Sequence, residues 1–164
     1  MKKAIVIGCP GGGKSTFSRK LRDTFGLPLF YLDMIWHKPD RTNVSREEFD
    51  ARLAEILAGE RWVIDGNYSR TLETRLQKCD TVFLFDIPTE VCLAGAMARI
   101  GTQREELPWL ETEFDDEFRE HILSFREKNL PVVYALLEKY KDGKNVVIFR
   151  SREEADGYIE TNRS

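Results

Sequence analysis

Five short apolar runs alternating with helix-forming stretches predict an α/β domain, with a five-stranded parallel sheet held between two layers of helices. Two observations carry that expectation. The runs are rich in β-branched residues and lack polar alternation, as strands buried on both faces must. The stretches between them repeat apolar residues every three or four positions, so each can bury one side as a helix.

The elements follow in order. Lys3–Gly8 (KAIVIG) is the first strand, and Lys14–Phe25 the first helix, with Phe17, Leu21 and Phe25 four apart and Gly26 as its stop. Pro28–Leu32 is a second strand, with Asp33 just beyond its end. Lys38–Asn43 is polar, contains Pro39, and reads as loop. Ser45 and Glu48 form a capping box for a helix that buries Phe49, Leu53, Ile56 and Leu57 and stops at Gly59. Arg61–Asp65 is the third strand, and Leu72–Lys78 a brief helix. Thr81–Ile87 is the fourth and most apolar strand, after which Thr89 is placed to cap a helix toward Arg99. Gly101–Thr112 interrupts the rhythm with glycine, proline and clustered charge. A long helix follows through Phe114, Phe118, Ile122 and Phe125, which Pro131 must bend or divide. Asn145–Phe149 is the fifth strand, and Ser151 with Glu154 caps a last helix.

The 164 residues, 41% hydrophobic and 32% charged, suffice for one domain spanning 1–164. Its 25 Lys and Arg against 28 Asp and Glu leave a net charge of -3, so direct nucleic-acid binding is not expected. The apolar start is too short for a membrane span or a leader. Cys9, Cys79 and Cys92 read as thiols of a cytoplasmic protein rather than a disulfide or zinc framework. His37 and His121 have no partners at metal-ligand spacing.

The chemistry begins at GCPGGGKST, Gly8 to Thr16. Gly8, Gly13, Lys14 and Ser15 satisfy G-x-x-x-x-G-K-[ST] between a buried strand and an amphipathic helix, the context the motif requires. Such a loop aims backbone N–H groups inward and adds the positive end of the following helix. Gly8, Pro10, Gly11, Gly12, Gly13, Lys14, Ser15 and Thr16 are therefore the expected ATP site of a P-loop NTPase fold. Lys14 would meet the β and γ phosphates, Ser15 would ligate Mg²⁺, and Thr16 would lie near the α phosphate.

Ligands of open parallel sheets lie beyond the carboxyl ends of the strands, so polar residues there are the other candidates. Asp33, in YLDMIWHKP, could orient or deprotonate an acceptor hydroxyl, or hold Mg²⁺ through water. Trp36 could cover that acceptor or serve packing. Asp65 resembles a magnesium-associated carboxylate, with Asp86 its rival or else a structural cap. Gly66, Asn67, Tyr68 and Arg70 would line the acceptor cleft, with Arg70 as an anion hook. Arg75 either joins them or pairs on the surface with Glu73. Arg99 and Arg104 would clamp the moving phosphate from a lid at 99–112, and Arg150 could flank the nucleotide.

Taken together, GCPGGGKSTFSRKL, YLDMIWHKP, WVIDGNYSRTLETR and VVIFRSREEADGYI resemble the small P-loop proteins labelled topology modulation proteins, or FlaR-like, which are similar to adenylate kinase and shikimate kinase. The resemblance spans almost the whole chain. It implies a strand order of 2-3-1-4-5 and a mobile lid before the long helix. It also implies ATP with Mg²⁺ as the donor, and Asp33 and Arg70 at the acceptor site. The segment CLAGAMARIGTQREELPW departs from the family: Gly95 stands where relatives carry arginine, and Glu105 follows Arg104 where proline is common. A phosphotransferase acting on a nucleotide or other small-molecule acceptor is the leading expectation, as a monomer or weak dimer. A nucleotide-binding regulatory protein with slow hydrolysis is the alternative.

Overall fold

The computed structural model describes residues 1–163. Strands β1 (Lys3–Gly8), β2 (Leu29–Tyr31), β3 (Trp62–Asp65), β4 (Thr81–Phe85) and β5 (Asn145–Phe149) pair in parallel in the order β2-β3-β1-β4-β5. Helices α1 (Lys14–Phe25), α2 (Leu32–Trp36), α3 (Arg46–Leu57) and α4 (Ser69–Lys78) lie in the first half of the chain. Helices α5 (Thr89–Ala98), α6 (Asp116–Lys128), α7 (Leu130–Tyr140) and α8 (Arg152–Asn162) complete it. None is long and apolar enough to cross a membrane among the described residues.

The three layers follow from connection handedness. The β1-to-β2 crossover runs toward one edge through α1, whereas the β3-to-β4 crossover runs the opposite way through α4. Right-handed crossovers therefore place α1 and α4 on opposite faces. Helix α8 joins α1 on the first face; α7 meets α4 on the second. Both sheet faces are thus covered, so Ala4–Ile7 and Val82–Leu84 are wholly buried without polar alternation. Phe17 of α1 sits among Phe83, Phe85 and Phe149 with ring centroids 4.9–5.4 Å apart in edge-on geometry, which locks α1 to the sheet.

Several boundaries differ from expectation. The second strand keeps only three residues, because Leu32 and Ile35 bury themselves three apart and coil the chain into the single turn of α2. Helix α4 begins at Ser69, earlier than Leu72. The fourth strand stops at Phe85, and Thr89 makes no capping hydrogen bond, since Pro88 holds the N-cap position of α5. Pro131 divides the long helix, lying in the first turn of α7 where its missing N–H costs nothing. Phe114 precedes α6, whose cap is Asp115. The Ser45 and Ser151 hydroxyls cap α3 and α8 by accepting from the Glu48 and Glu154 N–H groups, while the Glu154 side chain reaches back to the Arg150 N–H rather than to that of Ser151. All five strands end at the same edge, bringing residues 8–13, Asp33 and residues 65–68 together there.

Candidate active site

The loop after β1 is shaped by close backbone approach. Gly11 has φ +84, and a Cβ there would stand 2.0 Å from the Cys92 carbonyl oxygen; Gly8 has φ +139, with the Phe85 oxygen 2.4 Å away. Only glycine fits either position. Gly13 is the N-cap residue of α1 and supplies no side-chain acceptor, and the first turn carries no acid. The leading N–H groups of α1 are therefore presented to an anion, with Lys14 beside them. Asn67 steadies the loop from β3: its Oδ1 accepts from Gly8 N–H at 2.9 Å, and its Nδ2 donates to Gly8 O at 2.8 Å.

Two clefts meet at this loop. The first, about 700 Å³, is lined by Gly11, Gly13, Thr16, Lys20 and Arg152 among others. The second, about 380 Å³, is lined by Pro10, Asp33, Asp65, Gly66, Asn67 and Tyr68, with Trp109 and His121 opposite. Lys14, Ser15, Arg99, Arg104 and Glu106 line both.

Asp65 closes the inner end of the second cleft. It is 5% exposed, and its Oδ2 is a buried oxygen without a hydrogen-bond partner. Burial raises its carboxyl pKa, while the Lys14 ammonium and the Ser15 hydroxyl oppose that rise. A partnerless carboxylate oxygen beside the Ser15 hydroxyl is a hard-oxygen pair that fits Mg²⁺.

Farther out, the Tyr68 hydroxyl donates to Asp33 Oδ1 at 2.5 Å, and burial with that carboxylate pushes the phenol pKa up. The loop carrying Tyr68 is held by Arg75, which is neither an acceptor hook nor a surface partner of Glu73. It is fully buried and donates to the carbonyls of Gly66, Asn67 and Tyr68 and to the Thr71 hydroxyl. Burial lowers its guanidinium pKa to about 10. Glu73 pairs with Lys139 and Tyr140. His121 faces the second cleft; partial burial and the nearby Lys14 charge lower its pKa.

Segment 99–112 has neither helix nor strand and lies over both clefts. Its acids fasten it. Glu105 Oε2 accepts from the Tyr31 hydroxyl at 2.6 Å and from Arg22 at 2.8 Å. Glu106 is 6% exposed and stands between Arg19 at 3.3 Å, Arg104 at 3.5 Å and Arg99 at 4.0 Å. Arg104 also pairs with Glu111. At the outer end Arg41 lies over the Trp109 ring, which meets His37 edge-on.

Four expected site residues stand elsewhere. Arg70 points away to a bidentate pair with Asp50 of α3, 2.7 and 3.1 Å. Asp86 is buried under Arg126, Arg150 and Tyr134, all within 2.8 Å, so its oxygens are already satisfied. Arg150 is engaged there rather than at the loop. Trp36 packs edge-on against Phe49 and lines neither cleft. In place of Arg150, the neighbouring Arg152 reaches the phosphate loop, donating to Gly11 O at 2.7 Å. It passes Gly95, where a Cβ would fall 2.2 Å from Gly11 O and 2.5 Å from Arg152 Nη2. Position 95 thus has no room for a side chain, and Arg152 of α8 fills the space beside it. A motif search does not reach Arg152, Glu106 or His121, which are brought in from distant segments.

No protein-family model matches the chain, and no curated protein matches it by sequence. Solved structures do match. A shikimate kinase from Bacteroides thetaiotaomicron superposes with a TM-score of 0.60 at 16% identity, covering 98% of this chain and 95% of its own. A Chloroflexus aurantiacus protein described as a candidate kinase superposes at 0.56 with 19% identity, covering 99% and 98%. The chain therefore has the three-layer P-loop kinase-like fold.

Proposed function

We propose that the protein is an ATP-dependent phosphotransferase, a single P-loop kinase-like domain with segment 99–112 as its lid. One observation carries this reading: a large cleft and a smaller one meet at Lys14 and Ser15 under the same two arginines. A protein that only binds or hydrolyses a nucleotide has no use for the second cleft. Transfer from one bound molecule to another needs both.

The loop from Gly8 to Thr16 and the α1 N-terminus would bind the triphosphate, with Lys14 at the β and γ phosphates and Arg152 bracing Gly11. Ser15 and Asp65 would hold Mg²⁺, which when bound neutralises phosphate charge. Asp33, oriented by Tyr68, would accept the proton of an acceptor hydroxyl in the second cleft. Arg99 and Arg104 would move from Glu106 to the transferred phosphate, and the closed segment would exclude water. The resemblance to the topology modulation, or FlaR-like, proteins supports the same reading, as does the likeness to kinases in fold.

The test is product formation from Mg-ATP and a panel of nucleotide and alcohol acceptors, followed by mass spectrometry. Transfer should appear with at least one acceptor and fall about 100-fold or more in Lys14→Ala. Tight ATP binding with no transferred phosphate anywhere in the panel would favour the second reading, a nucleotide-binding regulator. The acids that already occupy Arg99 and Arg104 are what speaks for it.

A further inference from the structure

The two clefts differ in charge. The first is lined by six Lys and Arg side chains against three carboxylates. The second has three cations, Lys14, Arg99 and Arg104, against five carboxylates, Asp33, Asp65, Glu106, Glu111 and Asp115. Those cations are committed. Lys14 stands at the phosphate loop, Arg99 faces Glu106, and Arg104 lies between Glu106 and Glu111. Arg70, which could have served an anionic acceptor, is taken by Asp50 outside the cleft. The remaining walls are aromatic, from Tyr31, Tyr68, Trp109 and Phe118.

We propose that the acceptor is an alcohol with no anion of its own, an amino alcohol with a flat apolar body fitting best. This rests on the phosphotransferase reading and narrows it: nucleoside monophosphates and hydroxy acids are excluded as acceptors. A carboxylate or phosphate entering the second cleft meets Asp33, whose contact is the Tyr68 hydroxyl, and Asp115, which caps α6. The arginines there are held by Glu106 and Glu111 or, on closure, by the transferred phosphate, so nothing compensates the entering anion's desolvation. An ammonium is attracted by Asp115 and Glu111 at the mouth and can rest against an aromatic face. Its hydroxyl then points inward to Asp33.

Four probes on one skeleton test this: 4-(hydroxymethyl)benzylamine, 1,4-benzenedimethanol, 4-(hydroxymethyl)benzoate and 4-(hydroxymethyl)benzyl phosphate. Calorimetric titration is done with saturating Mg-ADP, so that the phosphate loop is already filled. Affinity should fall about tenfold for each step toward negative charge, and about 0.5 M NaCl should compress the series. Asp115→Asn, which keeps a side chain able to cap α6, should narrow the gap between amine and benzoate severalfold. Benzoate or phosphate binding as tightly as the amine overturns the proposal. So does binding by no member of the series at millimolar concentration, or phosphorylation of a nucleoside monophosphate or of shikimate. If Mg-ADP itself fails to bind, the phosphotransferase reading fails; if it binds and the charge order is wrong, only the acceptor assignment does.

Discussion

Replacing Gly95 with alanine separates two opposed physical effects. Gly95 lies inside α5, where alanine is favoured over glycine by about 1 kcal/mol on helix propensity alone. The added Cβ, however, would sit 2.2 Å from Gly11 O and 2.5 Å from Arg152 Nη2. That is more than about 1 Å inside ordinary contact with a backbone atom. Overpacking of this kind costs about 1–3 kcal/mol, so the net change should be a loss of up to about 2 kcal/mol. The larger effect is on binding. Gly11 must retreat, the bond from Arg152 breaks, and the loop amides lose aim at the phosphates. Hydrogen bonds to charged groups contribute about 1.5–3 kcal/mol each, so ATP affinity should fall about 10- to 100-fold. Urea denaturation and titration with a fluorescent ATP analogue measure the two quantities. Gly157→Ala is the control, since a Cβ on that helical glycine would meet nothing within 4 Å; it should gain about 1 kcal/mol with unchanged ATP binding. A Gly95→Ala protein that is about 1 kcal/mol more stable and binds ATP as before refutes the reasoning.

Three other changes test the remaining groups. Asp65→Asn should cut the magnesium dependence of ATP affinity about 10- to 100-fold, by titration with and without Mg²⁺. Because burial raises the Asp65 pKa, the charged carboxylate opposes folding at neutral pH, and the variant without ligand should be more stable than the parent; lower stability at pH 7 would contradict that sign. Asp86 is the opposite case: burial pushes its pKa up, but hydrogen bonds from Tyr134 and Arg126 and the charges of Arg126 and Arg150 outweigh it and hold the value down. Its stabilisation is present above the unfolded carboxyl pKa of about 3.9 and is lost as pH falls through the lower folded value. Asp86→Asn should cost about 1–3 kcal/mol at pH 7, discounted because both guanidiniums are half or more exposed. Denaturation midpoints should converge as pH falls below about 3.9; a gap that stays constant argues against the ion cluster. Glu106→Gln frees Arg99 and leaves Arg104 paired with Glu111 alone, so ATP should bind about 3- to 10-fold more tightly, a gain of about 1 kcal/mol. Weaker binding in that variant would mean that Glu106 positions the arginines rather than competing for them.

The chain itself determined the sheet, the two helices that open on serine caps and the glycine-rich loop, because each depends on neighbours in sequence. An apolar run covered on both faces needs no partner information to be recognised, and the Gly-rich turn before Lys14 and Ser15 is a contiguous motif. Asp33 and Asp65 were also legible, as polar residues at strand ends. Tertiary structure decided which charges remain available. Arg70 and Asp50 are 20 residues apart, and Arg150 and Asp86 are 64 apart. Their pairing follows from how α3 and β5 pack, which no local pattern encodes. Likewise, Gly95 stands where the resembled family carries arginine, and the fold brings Gly11 so close that no side chain fits. Arg152 reaches Gly11 from the far end of the chain. Local spacing specifies what a residue can do; the electrostatics of a cleft depend on which opposite charge arrives first, and only the folded chain settles that.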